Sequence, residues 1–374
     1  MTDKYLMDGH KLNWHLNRVE DWMNGKRIAP VHIDVGLSKG CNIQCEYCFG
    51  VLQGNFYKKG SDKYFPREAL LQYVRSAGEV GVRSMAFIGE AEPLLNPHVY
   101  EAIVEGKKAG VDISLGTNGI LLDTSELGVE ALKHLSWIRF NISAASKDSY
   151  KKIHRSNDFH IAVEKIQFAV DIKKEYNLDI TVGLQMVLTP NNINEVIPLA
   201  KLGKELGVDY FVIKQCSDTI ENALGVFKKL DEYDNFNSIL EEAESISSKT
   251  YNVIAKWKKI ENKGNRNYDK CLGVPFLLYS SGDGKLYPCG MFFDYKSEEY
   301  LMGDLTTQTF KEIIESERYQ EVIEKVKEID VKNVCYSNCR THCINEFLWA
   351  LNEGEISLND CKPVGQPPEH VNFV

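Results

Sequence analysis

From residue 31 to about residue 215, short apolar runs alternate with longer amphipathic stretches. That alternation restricts the chain to α/β folds built from repeated strand–helix units on a parallel sheet. Strands are expected over 31–37, 84–89, 111–116, 137–143, 179–188 and 209–214, and helices over 67–80, 98–109, 160–176 and 195–206. Pro66 precedes the first of these helices, where its missing N–H is not needed. By pattern alone, six βα units satisfy a doubly wound sheet and a partial barrel equally well. Residues 262–267 (Asn-Lys-Gly-Asn-Arg-Asn) read as a turn or linker, and beyond them the alternation stops and cysteines become dense. The chain therefore divides into an N-terminal cap over 1–30, with a short amphipathic stretch at 14–22, a βα domain over 31–250 and a smaller domain over 251–374.

Ligands bind where parallel strands end, because loops converge there and backbone groups are free. The chemistry-bearing residues fall at those ends. Cys41, Cys45 and Cys48 follow the first strand, and Gly-Glu-Ala-Glu-Pro (89–93) follows the second. Thr117, Asn118 and Gly119 follow the third, Asn141 and Ser143 close the fourth, and Cys216 follows the sixth. A cubane iron–sulfur cluster takes one thiolate per iron, so a CxxxCxxC loop ligates three irons and leaves the fourth open to a small molecule. A zinc knuckle, the competing reading, prefers four ligands and CxxC spacing. Three inert buried thiols are the other alternative.

The run Gly-Cys-Asn-Ile-Gln-Cys-Glu-Tyr-Cys-Phe resembles the signature of the radical S-adenosylmethionine (SAM) superfamily. The resemblance selects a partial (β/α)6 TIM-like barrel from the two possible architectures. It implies that SAM chelates the open iron of a [4Fe-4S] cluster on Cys41, Cys45 and Cys48. Residues 87–95 (Phe-Ile-Gly-Glu-Ala-Glu-Pro-Leu-Leu) are similar to the family's glycine-rich loop that holds the SAM amino group. Gly89 and Glu92 match that loop, Glu90 is an additional carboxylate, and Ala91 stands where a glycine is expected. Asn141 and Ser143, two apart and so on one strand face, are matched to the ribose hydroxyls. Asn118 joins the SAM-binding set, and Gln185 is matched to the adenine or substrate region. Phe49 would pack over the cluster, and an aromatic before the third cysteine, here Tyr47, is common in the family.

Cys271 and Cys289 bracket a hairpin signal, Ser-Ser-Gly-Asp-Gly at 280–284, and Cys335, Cys339, Cys343 and Cys361 follow. Cys339 and Cys343 lie one helical turn apart if 340–351 is helical. Zinc suits these residues too, but the arrangement resembles the SPASM and twitch auxiliary-cluster domains: small, cysteine-rich α+β modules with a β-hairpin. All six thiols are candidate metal ligands. One auxiliary [4Fe-4S] cluster on Cys271, Cys289, Cys335 and Cys339 would leave Cys343 and Cys361 free, whereas two clusters would each lack thiolates. One cluster is the favoured count.

The net charge of −9 argues against a nucleic-acid surface. The chain has no apolar run of about 18 residues, which excludes a transmembrane helix of the usual kind. Its N-terminus lacks a signal-peptide pattern. A cytoplasmic location is expected, with the ten cysteines reduced or metal-bound.

The resemblance implies reductive cleavage of SAM to a 5′-deoxyadenosyl radical, with an external flavodoxin or ferredoxin as reductant. The radical takes a hydrogen atom from a substrate, and the auxiliary cluster accepts an electron in an oxidation. Cys216 is the candidate catalytic residue for a different outcome, returning a hydrogen atom in an epimerisation. Lys214 and Asp218, beside it, are candidate substrate contacts. Only 40 residues precede Cys41, fewer than a peptide-recognition domain needs. A small polar substrate such as a sugar or aminocyclitol is therefore preferred over a peptide to be crosslinked or epimerised. A non-catalytic electron-transfer or zinc-binding protein is the alternative of another class.

Overall fold

A computed structural model describes residues 3–48, 64–218 and 224–374. The N-terminal region forms helix α1 (Leu16–Met23) and leads into β1 (His32–Val35). Five strand–helix repeats follow. They comprise α2 (Arg67–Glu79), β2 (Ser84–Phe87), α3 (Val99–Lys108), β3 (Asp112–Thr117), α4 (Glu126–His134) and β4 (Leu135–Asn141). Next come α5 (Lys147–His154), α6 (Phe159–Glu175), β5 (Thr181–Leu188), α7 (Val196–Leu206) and β6 (Tyr210–Gln215). Each of the six expected strands is present within two residues at either end. The expected hairpin is β8 (Leu277–Ser280) and β9 (Lys285–Tyr287), paired antiparallel.

The strands form one sheet in the order β10-β9-β8-β1-β2-β3-β4-β5-β6-β7, where β7 is Asn252–Ala255 and β10 is Gly303–Asp304. Two strands beyond residue 250 therefore extend the parallel sheet at its two sides: β7 beside β6, and β8 beside β1. The βα domain and the cysteine-rich domain share this sheet instead of meeting at a linker. Pairing supplies the reason. The free edges of β1 and β6 carry backbone donors and acceptors that each added strand satisfies.

Alternation along each strand sorts the side chains. Ile33, Val35, Met85, Phe87, Ile138 and Phe140 point outward into the core beneath the helices. His32, Asp34, Ser84, Arg139, Gln185 and Lys214 occupy the opposite face. That face encloses a lumen. β1 and β6 stand five strands apart, about 24 Å along a flat sheet, yet the Asp34 charge is felt at Lys214. The sheet must therefore curl.

Both ends of the chain close the lumen at the N-terminal ends of the strands. Ser84 Oγ donates to the Asn372 carbonyl at 2.6 Å, and Asn372 Nδ2 donates to Asp112 Oδ2 at 2.7 Å. His370 Nε2 lies 2.7 Å from Thr181 Oγ1, and Phe373 packs on Trp137 and His32. Lys11 Nζ donates to the His370 carbonyl at 3.0 Å. Helix α1 buries Val19 with Leu272, Phe276, Leu348 and Leu351, so the N-terminal cap seats on the cysteine-rich region. Helices α8 (Asn237–Ser245) and α9 (Trp257–Asn262) flank β7. Later come α10 (Ser297–Tyr300), α11 (Phe310–Glu315), α12 (Glu317–Lys327) and α13 (His342–Asn352), the last answering the helix expected over 340–351.

Candidate functional site

The loop after β1 is held on two sides. Gln44 N and Glu46 N donate to the His154 and Ile153 carbonyls at 3.3 and 2.9 Å, the free acceptors at the C-terminus of α5. Glu92 N donates to the Gly40 carbonyl at 3.1 Å, and Ser38 Oγ to the Glu92 carbonyl at 2.7 Å. Within that frame Cys41, Cys45 and Cys48 converge, and each thiolate opposes ionisation of a neighbour. Burial pushes the Cys41 thiol up to about 12, and Cys45 rises well above the ordinary thiol range from burial and the Cys48 and Cys41 charges. A cationic iron core would relieve both. Phe49 lies outside the described residues.

His154 orients this site, and sequence reasoning missed it. Its Nε2 accepts from Ser143 N at 2.9 Å, so the proton of the neutral ring resides on Nδ1, 3.1 Å from Cys45 Sγ. Burial pushes the imidazole down to about 3 and keeps it neutral. Tyr150 stacks on the ring at 4.3 Å, and a Ser146 capping box starts α5. An N–H donated to a ligating sulfur stabilises the reduced, more negative state of a cluster. His154→Phe is therefore expected to make the reduction potential of the cluster on this loop more negative at unchanged iron content, measured by an EPR-monitored redox titration. A potential equal to that of the unsubstituted protein would refute the role.

The two loop carboxylates bond to the protein itself. Glu92, 3% exposed, accepts from Thr117 Oγ1 at 2.6 Å, Asn118 N at 2.8 Å and Leu94 N at 3.0 Å. Burial raises its pKa and these three bonds oppose the rise. Glu90 pairs with Lys39 Nζ at 2.9 Å and accepts from Gly282 N at 3.0 Å. The Glu90 pKa is raised by burial and opposed by Lys39. Gly282 belongs to the β8–β9 turn, where a Cβ would stand 2.0 Å from the Ser38 carbonyl oxygen. Only glycine lets the hairpin cross this closely over the end of β1. Glu90 thus ties the second loop to the hairpin, and Glu92 ties it to the end of β3; Gly89 lies between β2 and these residues.

Of the residues matched to SAM, Asn118 sits beside the thiols, with Nδ2 3.8 Å from Cys41 Sγ and 2.7 Å from Asn42 Oδ1. Gln185 Nε2 donates to Asn141 Oδ1 at 2.9 Å, so these two form one polar unit facing the lumen. Ser143, matched to a ribose hydroxyl, is bonded within the protein. It is fully buried, its Oγ accepts from Val187 N at 3.0 Å, and it bonds the Tyr47 hydroxyl at 2.9 Å. Ser143 acts by holding Tyr47 and His154.

A second thiol group lies across the lumen. Cys335 feels the charges of Cys339, Cys271 and Cys289, and Cys289 feels those of Cys339 and Cys271. Asn345 on α13 fixes the loop from Cys271: its Oδ1 accepts from Leu272 N and Gly273 N at 2.8 and 2.7 Å, and its Nδ2 stands 3.6 Å from Cys271 Sγ. Asn338 Nδ2 donates to the Gln215 carbonyl at 2.9 Å, docking the Cys335–Cys339 loop on the end of β6. The other two thiols stand in different surroundings. The charges that Cys343 feels are those of Lys258, Glu346 and Lys259. Cys361 is buried among Leu12, Phe347 and Leu351, where its thiol donates to the Ser357 carbonyl at 3.2 Å.

Among the described residues no three His, Cys, Asp or Glu side chains stand close enough to hold a single metal ion. A cubane, which places one ligand on each of four irons, fits seven thiols gathered as three and four.

Cys216, at the end of β6, is 1% exposed and lines a cavity of about 110 Å3 with Glu46, Tyr47, Thr189 and Tyr233. Burial and the Asp218 charge push its thiol up to about 12, so it keeps its hydrogen. Asp218 is turned inward, accepting from Val226 N at 2.9 Å and Leu224 N at 3.1 Å. It holds the backbone after β6.

Residues 35–203 match the radical SAM superfamily, and residues 277–344 match SPASM, an iron–sulfur cluster-binding domain. A probable GTP 3′,8-cyclase of Saccharolobus solfataricus is 27% identical over 217 residues, which are 58% of this chain and 65% of that protein. A GTP 3′,8-cyclase of Campylobacter fetus is 27% identical over 297 residues, 73% of this chain and 85% of that protein. The chain thus spans 65% of the length of the first of these curated relatives. Streptococcus suis SuiB, bound to the precursor peptide SuiA, superposes with a TM-score of 0.62 at 13% identity, covering 86% of this chain and 74% of that one. At that identity the likeness establishes the fold alone. No described helix is long and apolar enough to cross a membrane.

Proposed function

Because the chain belongs to the radical SAM superfamily and carries a C-terminal SPASM domain, we propose that it abstracts a hydrogen atom from a small polar substrate held in the lumen, giving oxidation or epimerisation. The observation that carries this reading is the division of seven thiols into a set of three and a set of four on one curled sheet. Cys41, Cys45 and Cys48 would hold the cluster with an open iron, and Cys271, Cys289, Cys335 and Cys339 would hold a complete one. When bound, the clusters and SAM supply one-electron cleavage to a 5′-deoxyadenosyl radical.

The protein's own residues do the rest. Asn118, Asn141 and Gln185 line the path from the thiol loop into the lumen, with Asn141 and Gln185 locked to each other. The closed floor leaves the C-terminal strand ends as the way in, which limits water at the reacting centre. Tyr47, held by Ser143, and the protonated Cys216 line one cavity. A neutral thiol there can return a hydrogen atom to a substrate radical, and the second cluster can take an electron instead. The relatives named for an activity on GTP support a small-molecule substrate. Peptide modification is the second reading, supported by the fold shared with SuiB, whose structure includes a precursor peptide.

The test uses anaerobically reconstituted protein, SAM and a strong reductant. Slow release of 5′-deoxyadenosine without substrate is expected, together with deuterium transfer into it from a deuterated substrate. No release from iron-loaded protein would overturn the reading. Cys216→Ala should abolish deuterium uptake from solvent into product if the outcome is epimerisation, and leave product formation intact if it is oxidation.

A further inference from the structure

Five cationic side chains from separate segments stand close enough to feel one another's charge, and Arg139 and Lys214 lie on the lumen face of their strands. Arg139 is on β4, Lys214 on β6, Lys256 directly after β7, Lys259 on α9, and Arg340 beside Cys339. Lys214 stands opposite Val187 near the ends of β6 and β5, while Arg139 is paired in register with Gly116 and Gly183. Lys256 N donates to the Ile213 carbonyl at 3.0 Å, which fixes that residue at the end of β6.

The group is short of negative charge. Asp34 accepts from or pairs with His32 Nε2 at 2.9 Å and stands 3.7 Å from Arg340 Nε. Asp8, the other carboxylate facing these lysines, takes the Lys258 N–H at 2.8 Å. Among the described residues, Lys214, Lys256 and Lys259 make no ion pair and no side-chain hydrogen bond; the Arg139 guanidinium lies over the Trp137 ring at 4.9 Å and bonds the Tyr210 hydroxyl, and only its Nε is buried without a partner. Burial, then the neighbouring cations, push Lys214 down to about 8 and Lys256 well below its usual range. Stability alone would favour apolar or paired residues at such positions. The Cys339 and Cys343 thiols draw on Lys259, and the Cys216 thiol draws on Lys214.

We propose that these cations form the substrate's anchoring site and that the substrate is a small organic polyanion, bearing phosphoryl groups or several carboxylates. This rests on the radical SAM reading above and narrows its substrate class. Arg139 and Arg340 present planar, multiple donors suited to phosphate or carboxylate, and the lysines add mobile charge. An aminocyclitol, itself cationic, would meet like charge here, so that part of the sequence-based expectation is set aside.

The experiment titrates SAM-loaded, reconstituted holoenzyme anaerobically with pyrophosphate and, separately, citrate at low salt, followed by calorimetry. Saturable one-to-one binding of at least one probe is expected, and the stronger probe identifies phosphoryl or carboxylate chemistry. Affinity should fall about tenfold or more in K214Q/K256Q and stay unchanged in the exposed control K147Q. Iron content and a thermal melt establish that the double variant is folded. If it is not, Lys214→Arg, which keeps the charge and must retain binding, replaces it. No saturable binding to unsubstituted holoenzyme, or equal binding by folded K214Q/K256Q, overturns the proposal. Tighter binding of a hexaglutamate peptide than of both small probes overturns it in favour of a peptide substrate. Release of 5′-deoxyadenosine by the same unsubstituted preparation separates the two readings: release without probe binding removes only the polyanion.

Discussion

Replacing Cys41, Cys45 and Cys48 together by alanine should lower iron from about eight to about four per chain and abolish 5′-deoxyadenosine release. The same count separates the remaining thiols. Cys289→Ala should remove the other four or so irons and keep slow SAM cleavage, because its sulfur faces Cys339 and Cys271 across the lumen from the first loop. Cys343→Ser and Cys361→Ser should leave the full complement, since one faces Lys258 and Glu346 and the other an apolar cluster. Iron and acid-labile sulfide on anaerobically reconstituted protein decide all three. A fall in iron in the Cys343 or Cys361 variant would mean that the four-thiol group is wrongly composed. Zinc in place of iron would remove the radical chemistry altogether.

Glu92→Ala should destabilise the protein by about 3 kcal/mol, because it strands three buried donors at once. The donors are the Thr117 hydroxyl and the backbone N–H groups of Asn118 and Leu94, at 2.6, 2.8 and 3.0 Å. Glu92→Gln keeps one good acceptor and sets an N–H against a donor, so roughly half of that loss is expected. Urea unfolding of the reduced, iron-free protein measures both. An unchanged midpoint in Glu92→Ala, with weakened SAM binding in the loaded enzyme, would mean that the carboxylate serves the ligand and not the fold.

Local order was readable to within two residues at every expected strand because it rests on periodicity. Residues 84–89 and 179–188 alternate or run apolar over the length of a buried strand, and the observed β2 and β5 begin and end close to those limits. The hairpin at 280–284 was equally legible, since its turn needs glycine where φ is positive, as at Gly284 with φ +85°. β7 (Asn252–Ala255) was not among the expected strands. His154 escaped because a histidine at the end of an amphipathic helix is unremarkable until Ser143 and Cys45 are placed on either side of it.

The sequence by itself determined the repeated strand–helix order, the three-thiol loop and the presence of a cysteine-rich module with its hairpin. Each of these is a matter of neighbours along the chain. The four-thiol set was already the favoured one in sequence, but what positions it is tertiary: Asn345 stands against Cys271 and Asn338 docks the Cys335–Cys339 loop on Gln215, contacts between distant segments. Curling the sheet set Asp34 of β1 against Lys214 of β6 and Arg340 of the cysteine-rich region. It thereby turned scattered lysines and arginines, each ordinary in sequence, into one cationic lumen. Coulomb energy depends on separation in space, and only closure of the barrel fixes that separation.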